Sequence, residues 1–361
     1  MLGLSPLPRT LAAALRDADD EKLHVRVSAV RDLARHAHEG ADEAVQRLRR
    51  VLADEPAAGL RADAAVALAD ATAKDAVSDL VRSAKRDDAI RVRQMALVAL
   101  GELAGPDDSD ARAVIEHALE DDSPELRFQA LIAHARVGVD TVDEALARAL
   151  GDDDARVRYI ALRISEERWL DAGEVDLPAP LARAARDALG DLAAAVRLAA
   201  ALLLGRAGDE SGAEVIVAAI ESGRGADEPD DAQAAIELAG TLGLAAARRG
   251  LTRRAFGLLG ASRDPFAWQA RIALARMGDE RARQFILRGL NAWSRDARIL
   301  AVVAAGRALV PGALPLLFAM RGRPDRAEPS VVEEALALLE APGRIDAAPA
   351  RGQDDEHDRA P

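Results

Sequence analysis

Along most of the chain apolar residues return at intervals of three and four, the spacing that gathers side chains on one face of an α-helix. Asp87 to Gly105 shows it most plainly, reading DDAIRVRQMALVALGELAG. Val92, Ala96, Ala99, Leu100 and Leu103 share a face, and the polar letters fall elsewhere. Asp87 or Asp88 is placed to cap this helix, because a carboxylate accepts the unpaired N–H groups of a first turn. Gly105 is placed to end it in a left-handed conformation.

The same run returns along the chain. It reads Val25-Arg26, Leu60-Arg61, Val92-Arg93, Leu126-Arg127, Val157-Arg158 and Val196-Arg197, each with an alanine three places after the arginine. Looser copies stand at Ala232-Gln233, Trp268-Gln269 and Ala297-Arg298, and a truncated one at Val332-Glu333. The mean step is near 34 residues. Between copies runs a second helical pattern, for example Ala41–Ala53, Ser109–Glu120, Thr141–Leu150, Ser211–Glu221 and Asp279–Leu290. Each unit is therefore two short helices and two turns. Neither helix buries its apolar face alone; stacked neighbours do, and a solenoid results.

The run Asp-x-x-x-Val-Arg-x-x-Ala-x-x-Ala-Leu-Gly, as in Asp88–Gly101, resembles the short bacterial HEAT-like repeat, also found in phycobilin-lyase-type proteins. The resemblance covers Asp20 to Gly208 closely and extends to about Leu309. It implies an all-α, right-handed α-α superhelix of about nine helix pairs, with the Val-Arg helices on the concave face. It also implies structural ladders between repeats. Arg26, Arg61, Arg93, Arg127, Arg158 and Arg197 would be ladder arginines. Asp88, Asp122 and Asp153, five residues before Arg93, Arg127 and Arg158, would be their partners. Some proteins of this kind are di-iron hydroxylases that use several His-Glu dipeptides; this chain has one, His38-Glu39.

Breaks in the pattern divide the chain. Residues 1–20 read as an N-terminal cap, 21–340 as the repeat array and 341–361 as a disordered acidic tail. LDAGEVDLPAP after Trp169 lengthens one step to 39, and its prolines place a loop or bend at 170–180. The stretch 221–232 reads as an exposed acidic loop.

Charge then separates the two ends of the array. Residues 1–240 carry a net −18, whereas 241–325 carry 15 arginines against five acids. Six of the nine aromatic residues also fall in 241–325: Phe256, Phe266, Trp268, Phe285, Trp293 and Phe318. Arg248, Arg249, Arg253, Arg254, Arg281, Arg283, Arg288 and Arg295, with Trp293, are the candidates for meeting an acidic or phosphate-bearing partner, nucleic acid included. Self-association of the acidic front with the basic rear is a third use for the same charges. Trp268, at a valine position of the repeat, and Phe285 are expected in the core.

Little points to catalysis. With no cysteine, disulfides, thiolate metal sites and cysteine nucleophiles are excluded. His36 and His38 point to different sides of a helix, and His117 and His134 lack a carboxylate frame, so no metal is expected. There is no HExxH, GxSxG or GxxxxGK[ST] motif. The N-terminal stretch lacks the pattern of a secretory signal, and the apolar window 300–320 is broken by Arg307, Pro311 and Pro315, so a cytoplasmic protein without a membrane span is expected. The expected role is a non-catalytic scaffold or adaptor holding a protein partner on its concave face, with no cofactor. Anionic-ligand or nucleic-acid binding through 241–325, and a HEAT-like lyase or enzyme accessory, remain as alternatives.

Overall fold

The computed structural model describes residues 8–138, 141–257 and 264–340. The tail 341–361 and the start of the N-terminal cap lie outside these residues. Among the described residues there are twenty α-helices and no strand. In chain order they are α1 (Leu11–Asp17), α2 (Leu23–His38), α3 (Asp42–Asp54), α4 (Ala58–Asp70), α5 (Val77–Arg86), α6 (Ile90–Leu103), α7 (Ser109–Ala118), α8 (Pro124–Val137), α9 (Val142–Ala149) and α10 (Ala155–Ala172). There follow α11 (Ala179–Ala188), α12 (Ala194–Arg206), α13 (Ala213–Ser222), α14 (Pro229–Thr241), α15 (Arg248–Phe256), α16 (Ala267–Arg276), α17 (Glu280–Gly289), α18 (Arg295–Arg307), α19 (Leu314–Met320) and α20 (Pro329–Glu340).

The chain forms two compact units, Met1–Ser165 and Glu166–Pro361. In the first, the Val-Arg helices α2, α4, α6 and α8 pack side by side as one layer, and α1, α3, α5 and α7 as the other. In the second, α12, α14, α16, α18 and α20 form the Val-Arg layer, and α11, α13, α15, α17 and α19 lie between them in sequence as the outer helices. Each unit has its own core of alanine, leucine, valine and isoleucine between the layers. Alanines 29, 64, 96, 130, 161 and 200, three places after the arginines, are all fully buried, so the layers approach at methyl distance.

Four local expectations need correction. Asp87 does not cap the first turn of α6; its Oδ1 accepts the Ala89 N–H, one residue outside the helix. The helix ends at Leu103 on an extended Ala104, and Gly105 is not left-handed but donates its N–H to Asp108 Oδ2. The insertion near 170–180 begins later than expected, since α10 runs to Ala172, and Trp169 is buried with its Nε1 donating to the Asp176 carbonyl at 3.2 Å. The acidic loop is likewise shorter, as α14 starts at Pro229 and its Asp231 is buried.

Candidate functional site

The ladder arginines occupy the first turn of each Val-Arg helix, where a long side chain reaches back to the preceding turn. Arg127 Nη1 donates to the carbonyls of Asp121 and Asp122 at 2.8 and 3.2 Å. Arg26, Arg61, Arg158 and Arg197 bond the carbonyls six and five residues before them in the same way. The rest of the guanidinium faces the next repeat. Arg127 forms a two-pronged pair with Asp152, Nε and Nη2 at 2.8 and 2.7 Å. Arg61 does the same with Asp87, Arg26 with Glu55, and Arg93 meets Asp121 at 2.6 Å.

The acid therefore stands six residues before its own repeat's arginine, not five, and serves the arginine one repeat earlier. This corrects the expected pairing of Arg93, Arg127 and Arg158 with Asp88, Asp122 and Asp153. Asp88 lends its carboxylate to Arg61 at 2.7 Å, with its side chain 92% exposed. The carboxylates of Asp122 and Asp153 are exposed and hold no arginine; only their carbonyls do. Each ladder acid also accepts the N–H two residues on, as Asp152 does from Asp154 at 2.8 Å. Burial pushes the Asp152 carboxyl up, but Arg127 and that N–H outweigh it and hold the group below its usual range. Asp87 and Asp121 are held low by the same balance.

In the second unit the ladder lapses. Gly101, eight places after Arg93, lies so close to α8 that a Cβ there would stand 2.9 Å from Ala133 Cα. Gly240 meets Ala273 in the same way, at 2.6 Å. This contact aligns α14 and α16 with α6 and α8, and puts Ala232 and Ala267 at the arginine position. Steps of 35, 35 and 31 residues then lead from Arg197 to Arg298. The copies read as Ala232-Gln233 and Trp268-Gln269 are thus displaced by one and two residues. Asp231 and Phe266, not Ala232 and Trp268, fill the valine position. The acid position is alanine at Ala226 and Ala292: Ala292 would have served Ala267, where the donor is also gone, whereas Ala226 leaves Arg197 bonded only to the carbonyls of its own turn among the described residues. Arg298 survives, and bonds four carbonyls in place of a carboxylate: Ala292, Trp293, Asp325 and Arg326, at 2.7–2.9 Å.

An aromatic cluster stands where the ladder stops. Trp268 and Phe256 each meet Phe285 edge to face, at 5.6 and 6.0 Å. Arg271, 4% exposed, lies between them with its guanidinium carbon 4.2 Å from the Phe285 centroid. It donates to the Ala255 carbonyl at 2.9 Å, and burial pushes its pKa down. Trp268 and Phe285 are partly buried, and Trp293 is 98% exposed on the turn before α18.

The basic candidates divide. Arg254 pairs with Asp264 at 3.3 Å, Arg295 with Glu328 at 2.8 Å, and Arg283 turns inward to the Ala275 carbonyl. Arg248, Arg249, Arg253, Arg281 and Arg288 are exposed on the outer helices α15 and α17, and no carboxylate of a described residue lies within ion-pair distance of them. Some outer arginines of the first unit are paired, as Arg49 is with Asp75 and Asp79.

Sequence reasoning missed a second surface, in the first unit. At the positions one, two and five after the ladder arginines, polar residues are expected wherever the helix surface is left uncovered. They hold Val66 on α4, Met95 and Val98 on α6, Phe128 and Ile132 on α8, and Tyr159 and Ile160 on α10, all part-exposed, with Met95, Ile132 and Ile160 also packed against the core. Ion pairs flank this band: Glu125–Arg156 at 3.0 Å near the helix starts and Glu102–Arg136 near the ends. The histidines are spread out: His36 meets the Arg9 carbonyl, His38 the Asp70 carbonyl, and buried His134 the Thr141 hydroxyl. Among the described residues no three His, Asp or Glu side chains stand as a metal cage, and no helix is long and apolar enough to cross a membrane.

Residues 79–164 match the family described as HEAT repeats. This chain carries HEAT repeats. No curated protein sequence matches it. Among solved structures, YibA of E. coli is similar over 75% of this chain and 93% of its own, at 19% identity and a TM-score of 0.50. That likeness is one of fold. The CpcE–CpcF complex of phycocyanin lyase from Nostoc sp. (18% identity, TM-score 0.42) covers 77% of this chain and 97% of its own. Human deoxyhypusine hydroxylase in complex with glycerol (19%, TM-score 0.33) covers 75% and 96%. The HEAT-repeat stack supplies the reason for the ladder: adjacent repeats touch only each other, so polar bonds across each junction set their register.

Proposed function

We propose that this HEAT-repeat protein is a non-catalytic scaffold that holds a protein partner on its Val-Arg helix face. The observation that supports this reading is the band from Val66 to Ile160. It has the anatomy of a protein interface, apolar and aromatic at the centre with ion pairs at the rim. Arg26, Arg61, Arg93 and Arg127 spend their guanidinium groups on carboxylates of the next repeat, which holds one repeat to the next. The test is affinity capture from the native host with wild type and with Val98→Glu plus Phe128→Glu, two part-exposed positions outside the core clusters. A reproducible partner retained by wild type and lost by the variant is expected. A partner set unchanged by the variant would remove the band from consideration.

A second reading has its own support. The five outer arginines of α15 and α17 without carboxylates favour a second surface, for an anionic partner. On this reading binding weakens as salt rises, because exposed charges are screened.

A further inference from the structure

The second reading leaves the anionic partner open between phosphate polymers and protein carboxylates, and the surroundings of the five arginines decide between them. Arg249 and Arg253 are one helical turn apart on α15, about 6 Å along the axis. Arg281 and Arg288 are two turns apart on α17, about 10 Å. Arg281 stands over Phe256, its guanidinium carbon 4.1 Å from the ring centroid, a contact that ties α17 to α15. Arg248 and Arg253 are steadied by single bonds to the Met277 and Glu221 carbonyls, which leaves most of each guanidinium free to donate outward. The result is a small, pre-ordered field of planar donors, the geometry that carboxylates accept in pairs.

The field is also bounded. Exposed Glu214 and Glu221 stand on α13 to one side, and Glu280 begins α17. Residues 1–240 carry a net −18, and the whole chain −13. A long phosphate backbone entering this field would run on past acids of its own sign. A short acidic stretch would not. No aromatic ring of α15 or α17 stands fully exposed to stack on a base, since Phe256 and Phe285 are turned into the cluster around Arg271.

We infer that the outer face of α15 and α17 is a docking surface for a short acidic protein segment, with Arg249, Arg253, Arg281 and Arg288 as the carboxylate receivers. This inference rests on the second reading above and narrows it. It places the acidic segment on the outer layer, away from the Val-Arg face, so that two protein ligands are held at once.

The experiment uses the full chain and two labelled probes of equal charge, a twelve-residue Glu-rich peptide and a single-stranded oligonucleotide, followed by fluorescence anisotropy. Arg249→Glu plus Arg288→Glu is the variant, because among the described residues the Arg249 side chain makes no bond and that of Arg288 bonds only the Gln284 carbonyl of its own helix. Arg249→Gln alone is the milder second variant. The expected result is that the peptide binds at least tenfold more tightly than the oligonucleotide. It loses at least tenfold in the double variant and weakens in Arg249→Gln. If the oligonucleotide binds more tightly and the variant abolishes it, the anionic surface stands and the acidic-segment assignment is overturned. If neither probe responds to the variants, both fall.

Discussion

The ladder makes a quantitative claim that distinguishes two carboxylates thirty residues apart. Arg127 donates two hydrogen bonds to Asp152 and two to the carbonyls of its own turn. Arg127→Ala removes all four and leaves Asp152 with only the Asp154 N–H. Charge-assisted bonds of this kind contribute roughly 1.5–3 kcal/mol each where water is excluded. The Arg127 and Asp152 side chains are 17% and 13% exposed, so the Coulombic part is reduced by solvent. The expected total is a loss of about 2–3 kcal/mol. Urea titration followed by circular dichroism on wild type, Arg127→Ala, Asp152→Ala and the double variant gives the coupling between the pair, expected at about 1–2 kcal/mol. The control is the same cycle with Asp122→Ala. Asp122 contributes only its carbonyl, which alanine retains, so that substitution is expected within about 0.5 kcal/mol of neutral and uncoupled to Arg127. Equal coupling of Asp122 and Asp152 to Arg127 would refute the register by which one repeat grips the next.

Three further outcomes follow from the second unit. Arg271 is buried without a carboxylate, so Arg271→Met is expected to leave stability unchanged within about 1 kcal/mol or to raise it, as seen in a thermal melt; a loss near that of Arg127→Ala would mean that the aromatic faces hold the cation as firmly as an acid does. Gly240→Ala places a Cβ 2.6 Å from Ala273 Cα and is expected to cost about 1–3 kcal/mol, whereas a neutral result in urea would show that α14 and α16 separate easily. The Ser211 hydroxyl and N–H, with Arg186, hold the Asp209 carboxyl down to about 2, against 3.8 for the free group. The folded state binds that proton less readily, so the contribution is complete above pH 3.8 and fades as pH falls toward 2. Asp209→Asn should flatten that acid limb in a pH series of urea midpoints, and an unaltered limb would assign it to other carboxylates.

The helices and their pairing were legible because the signal is local. A 3.6-residue period and a Val-Arg start are contained within one helix. The ladder partners were not, since Arg127 meets a residue 25 positions away that belongs to the next turn. Asp122 and Asp152 differ by a single slot in their turns, and a carboxylate fits both. The later repeats were misaligned because Gln233 and Gln269 look like weakened arginines. A different letter held the register: Gly101, Gly205, Gly240 and Gly306 each stand eight places after the ladder position, where backbone meets the neighbouring helix or side chain. The band on the first unit was readable too, in Phe128 and Tyr159 standing where solvent-facing residues belong. The basic section read correctly as a charge imbalance, but only the structure separates Arg254, Arg283 and Arg295, which turn to partners in the fold, from the five that face outward.

Because the arginine of one repeat is received by the acid of the next, every repeat brings one donor forward and one acceptor behind. A segment cut between equivalent points therefore carries a balanced set wherever the cuts fall. Duplicating or deleting such a segment changes the length of the array without stranding a charge at the new junction. The later repeats break this rule, since one copied from Ala232 or Ala267 would arrive with neither half of the bond, and that of Arg298 without the acid. Growth of the array by unequal exchange is thus open among the early repeats and closed among the later ones.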